Sequence, residues 1–82
     1  MTRPGQKRRL AEELAFNEKV GGRLRDARLA KSPPPSLDLV GAILGVDGST
    51  VQRHEGGKLP LTCVRAWRWC QYLGLDLGEL FQ

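Results

Sequence analysis

Between Ser36 and Gly57 the chain holds two short helical patterns hinged on a single glycine, and few folds accommodate that arrangement. Ser36 is a natural N-cap, and Leu37, Val40, Ile43 and Leu44 follow it at helical spacing. Gly45 stops this pattern, because glycine alone enters a left-handed turn without strain. Asp47 is placed to cap a second helix, in which Val51 and His54 point one way and Ser49, Gln52 and Arg53 another. Gly56 and Gly57 close it.

The flanking segments also read as helices. Leu10, Ala11, Leu14 and Ala15 predict a short amphipathic helix that reaches Phe16 or beyond. Gly21 and Gly22 each cost about 1 kcal/mol relative to alanine inside a helix. The pattern therefore either breaks there or runs on through Leu24, Ala27 and Arg28 towards Lys31. Ser32-Pro33-Pro34-Pro35 ends this region as an extended, stiff connector. After Pro60, Thr62 caps a fourth helix whose apolar stripe reads Cys63, Ala66, Trp67, Cys70 and Leu73, ended by Gly74. Asp76 and Glu79 open a last turn through Leu77, Leu80 and Phe81 as a D-x-x-E capping box. Nothing alternates with period two, so the fold class is all-α.

Charge narrows the partners. The net charge is +4 over 82 residues, but residues 1–31 carry nine basic side chains against four acidic, and residues 32–82 four against five. A basic front suits a polyanion. The uncharged run Leu39–Val46 is too short to cross a bilayer, and no apolar stretch follows the early arginines as in a signal peptide. The expectation is a cytoplasmic, nucleoid-associated protein. Cys63 and Cys70, seven residues apart on one helix, stand about 10 Å apart along its axis, too far to bridge. With His54 they also lack the local spacing of a zinc site, so both read as small buried thiols and no metal or cofactor is expected.

Several segments line up with one known family. Val20-Gly21, Leu24-Arg25 and Arg28 match its first helix; Val40-Gly41 and Leu44-Gly45-Val46 match its second helix and turn. Ser49-Thr50-Val51 and Glu55-x-Gly57-Lys58 match its third helix, and Leu73-Gly74-Leu75-Asp76-Leu77-x-Glu79-Leu80-Phe81 its closing helices. On these residues, the chain from about Val20 to Phe81 resembles the lambda-repressor-like, or Cro-type, helix-turn-helix family, also called the xenobiotic-response-element family. The resemblance implies a compact five-helix bundle over 20–82, with 1–19 forming a basic N-terminal arm and a short helix. It departs from the family at Leu37, where glutamine is frequent, and at Asp47, Gly48 and His54; the proline connector is also longer than usual.

The same resemblance implies a major-groove reader of double-stranded DNA, a transcriptional regulator and a repressor in type, from a phage, plasmid or bacterial chromosome or acting as an antitoxin. Gly48, Ser49, Thr50, Gln52 and Arg53 would face bases, with the Arg53 fork the best guanine reader. Ser36 and Lys58 would hold phosphates, and Arg3, Lys7, Arg8 and Arg9 would form a flexible arm along the backbone or into the minor groove. Arg28 and Glu55 correspond to an internal ion pair in the family, and Gly41 to the close crossing of the second and third helices. His54 reads as a satisfied core residue, Trp67 as core, and Arg65 and Arg68 as surface charges. Trp69, Tyr72 and Phe81 either complete the core or serve a homodimer contact. The alternative reading is a protein-interaction module on the same fold, favoured by Leu37, Asp47, Gly48 and the near-neutral second half. Catalysis is not expected: no carboxylate pair or nucleophile–base couple is recognisable, and no small-molecule ligand is evident.

Overall fold

The computed structural model describes the backbone from residue 4 and side chains from residue 10 to the end of the chain. Arg3 and the side chains of Lys7, Arg8 and Arg9, expected to form a basic arm, lie outside the described residues. Five helices follow in order: α1 (Pro4–Leu29), α2 (Leu37–Leu44), α3 (Gly48–Glu55), α4 (Cys63–Leu73) and α5 (Leu77–Leu80).

The glycine pair does not break α1, which runs unbroken for 26 residues and across the 19/20 boundary. Tertiary packing outweighs propensity here, because Gly21 lies against the C-terminal end of α3. A Cβ at Gly21 would collide with the backbone carbonyl oxygens of His54 and Glu55. Val20 and Leu24, flanking it on the same face, are buried. The outer half of the rod behaves differently. Leu10, Leu14 and Phe16 are exposed, and the molecule measures 46 × 25 × 19 Å.

Local capping fixes the short helices. Ser36 Oγ accepts the Leu39 N–H at 3.1 Å, Asp47 Oδ1 the Thr50 N–H at 2.8 Å, and Thr62 Oγ1 the Arg65 N–H at 3.2 Å. Asp76 Oδ1 accepts the Gly78 N–H at 2.7 Å, an N-cap bond to the second residue of α5 rather than the bond to Glu79 that a capping box makes. Gly45 takes φ +78° and turns the chain from α2 into α3. Gly41 is a close-approach position, but its neighbour is the α2–α3 turn rather than the crossing of two helices: a Cβ there would stand 2.5 Å from the Val46 carbonyl oxygen.

The core gathers Val20 and Leu24 from α1, Val40 and Leu44 from α2, Val51 from α3, Ala66, Trp69 and Cys70 from α4, and Leu80 from α5. On α4 the buried stripe is offset from the expected one. Trp69 is fully buried, whereas Trp67 is 49% exposed and Cys63 is exposed as well. Trp69 meets the His54 ring edge-on, with centroids 6.3 Å apart. Its indole N–H is buried with no acceptor among the described residues. Cys70 is the one buried thiol of the two, and burial first, then the Asp76 charge, raises its pKa. Arg23 Nη1 donates to the Glu79 and Leu80 carbonyls at 3.1 and 3.0 Å, tying α5 to α1. Phe81, 39% exposed, stacks on Phe16 at 6.1 Å, and Tyr72 packs on the core beneath the Lys31 ammonium.

Candidate nucleic-acid interface

The outer surface of α3 is set by what the inner surface holds. Val51, His54 and Glu55 face inward, so Ser49, Gln52 and Arg53 must face out. Ser49, Gln52 and Arg53 are exposed, and with Gly56 and Lys58 they line one open concavity. No other element of the described chain lines it. Thr50 is half-buried, and Ser36 is exposed at the α2 N-terminus with its hydroxyl committed to the cap. Gly48, expected among the outward residues, is buried instead: a Cβ there would run into the Asp38 carboxylate.

Asp47 leads the helix with a fixed negative charge. Its Oδ1 accepts the Thr50 N–H and the Ser49 hydroxyl, the latter at 3.0 Å. The Thr50 bonds chiefly, then Ser49, with a smaller contribution from the Arg53 charge, hold its pKa below the ordinary carboxylate value. Ser49 Oγ is therefore oriented by its own helix cap.

The inner end of α3 is clamped twice. Arg28 Nε donates to Glu55 Oε2 at 2.7 Å and Nη2 to Oε1 at 3.0 Å, a bidentate pair, while Nη1 donates to the Pro35 carbonyl at 3.1 Å. The side chains are 12% and 5% exposed, so the pair is largely desolvated. The proline connector is thus held to α1 by the same guanidinium that fixes α3. His54 Nδ1 stands 3.0 Å from the Leu59 carbonyl and Nε2 3.2 Å from Arg65 Nη1. Arg guanidinium is always a donor, so Nε2 accepts and the proton sits on Nδ1. Burial is the main cause that lowers the His54 pKa, opposed by the Leu59 bond and assisted by the Arg65 charge. Arg65 is consequently half-buried and bound to the core histidine, not a plain surface charge; Arg68 is exposed.

One residue of this surface was given no role by the sequence reading. Arg25 of α1 is exposed and lines a second groove with Arg28, Leu37, Gln52, Glu55 and Gly56. Its spacing of three from Arg28 puts both on one helix face, the only sign the sequence offers. Among the described residues there is no cluster of three or more His, Cys, Asp or Glu able to hold a metal, and no helix long and apolar enough to cross a membrane.

Among solved structures, the chain is similar to the restriction-modification controller protein C.AhdI from Aeromonas hydrophila. The two are 30% identical with a TM-score of 0.72, over 84% of this chain and 97% of that one. No family model matches the sequence. No curated protein matches it either.

Proposed function

This chain belongs to the lambda-repressor-like, Cro-type helix-turn-helix family of DNA-binding regulators, and we propose that it is a sequence-specific transcriptional repressor that reads duplex DNA with α3. The observation that carries the reading is the exposed, unobstructed concavity of Ser49, Gln52, Arg53, Gly56 and Lys58. Its chemistry suits a base edge beside a phosphate: a planar two-pronged donor, an amide, a hydroxyl and an ammonium. Arg53 takes both acceptors of a guanine, Gln52 and Ser49 read neighbouring edges, and Lys58 holds the backbone. With α3 in the major groove, the bundle excludes polymerase sterically. Similarity to a controller protein supports the regulatory part of this reading. Two copies on half-sites about 34 Å apart would supply the affinity that one small domain lacks.

Selection of bound duplexes from a random DNA library, followed by binding curves across salt, tests it. Affinity is expected to fall linearly on a log–log salt plot. Arg53→Ala is expected to relax preference at one base position by about 1–3 kcal/mol, whereas Lys58→Ala weakens all sequences alike. No enriched sequence and no salt-dependent binding would refute the reading. A second reading, a protein-interaction module, is favoured by the exposed apolar side chains of Leu10 and Leu14 on the first half of α1. Capture of a protein partner with no DNA affinity would favour it.

A further inference from the structure

We propose that Arg25 is a backbone-phosphate ligand that extends the interface of α3 onto α1; the proposal rests on the DNA-reading role of α3. Two cations share this face of α1, and only one is available. Arg28 spends its guanidinium on both Glu55 oxygens and the Pro35 carbonyl. Arg25 is exposed and makes no hydrogen bond or ion pair among the described residues. The groove between them and α3, about 300 Å³, is lined by Arg25, Arg28, Leu37, Gln52, Glu55 and Gly56. Since the Glu55 charge is cancelled by Arg28, the one net positive charge of the lining is that of Arg25.

The groove is the flank of the reading surface. Gln52 and Gly56 line both it and the concavity that holds Arg53 and Lys58. A duplex whose base edges meet Arg53 must carry a phosphodiester strand along one flank of α3. Of the groove's polar groups, the Gln52 amide and the Arg25 fork can both donate to a phosphate oxygen, and Leu37 cannot. Position is held as well as charge. The backbone of α1 meets the end of α3 at Gly21, and the bidentate Arg28–Glu55 pair lies one turn from Arg25, so the backbone that carries Arg25 stands at a fixed offset from the reading helix. Arg25 therefore sets the register of α3 in its groove without reading sequence.

The test measures Kd against salt on the library-selected duplex and on a random-sequence duplex, for the wild type, Arg25→Ala, Arg25→Lys, Arg53→Ala and Arg68→Ala. Loss of one phosphate contact is expected to lower the log–log slope by about 0.9 in Arg25→Ala. Both duplexes weaken by the same factor, their affinity ratio stays, and the melting temperature is that of the wild type. Arg25→Lys retains the slope because it keeps the charge. Arg68 lies outside both concavities, so Arg68→Ala keeps the wild-type slope. A wild-type slope in Arg25→Ala, while Arg53→Ala still relaxes base preference, overturns the Arg25 proposal and leaves the reading of α3 standing. An equal slope loss in Arg68→Ala reduces the effect to net charge and also overturns it, as does a loss confined to the selected duplex. Absence of salt-dependent binding by the wild type removes the reading of α3 and this proposal together.

Discussion

Glu55 joins three parts of the chain through one carboxylate. It receives two bonds from Arg28, and Arg28 in turn holds the Pro35 carbonyl, so α1, the connector and α3 meet at a single ion pair. Removing one member leaves the other charged, desolvated and unmatched, which is costlier than the pair itself is stabilising. Glu55→Ala is expected to destabilise the domain by about 3–5 kcal/mol. In a domain of this size each 1 kcal/mol moves Tm by about 4–8 °C, so a thermal melt reads the effect directly. A wild-type Tm would mean that the pair contributes nothing and that the end of α3 is held by packing alone. At the same scale, Gln52 and Arg53 were legible because a capping aspartate and a glycine pair bracket a helix whose inward residues, Val51 and His54, are spaced three apart. Arg25 was not, because it reaches the surface of α3 from an element 27 residues away in sequence and no local pattern marks that juxtaposition.

The elements divide into those that local chemistry dictates and those that packing overrides. The two short helices and their turn could be read directly, since Ser36, Gly45 and Asp47 each do there what their side chains do in isolation. The unbroken α1 could not, because propensity penalises Gly21 while the contact that demands it lies on α3. The two glycines separate these effects. Gly22 has open space around its Cβ direction, so Gly22→Ala is expected to stabilise the domain by about 0.5–1 kcal/mol through helix propensity alone. Gly21→Ala gains the same propensity but drives a methyl group into the backbone of His54 and Glu55, and a net loss is expected. Equal melting temperatures for the two variants would show that α1 and α3 do not approach as described. On α4 the ambiguity was one of phase. Cys63, Ala66, Trp67 and Cys70 satisfy the i, i+3, i+4, i+7 rule, and so do Ala66, Trp69, Cys70 and Leu73. Both stripes have one period; the His54 ring, facing Trp69 from another element, decides between them.

For the molecule as a whole, the buried histidine couples folding to acidity. Both His54 nitrogens already have partners, and the neutral ring has no place for a second proton beside Arg65. Its folded pKa is lowered, so below the unfolded value of about 6.5 the unfolded chain binds the proton more readily. Stability is therefore expected to be at its plateau above about pH 7 and to decline as pH falls through about 6.5. Asp47, whose pKa is also lowered, withdraws its contribution only in the carboxylate range, below about pH 4. Melts between neutral pH and about pH 5 isolate the histidine; a flat profile there would contradict the buried neutral ring. The same carboxylate has a further consequence for orientation. A helix ordinarily attracts anions with its amino-terminal pole. In α3 that pole is occupied by the chain's own anion, whereas Arg53, Lys58 and the neighbouring Arg25 gather towards the opposite pole. A polyanion bound as proposed would be held more strongly at the trailing end of α3 than at its leading tip, so the probe helix would enter a groove tilted about its carboxyl end.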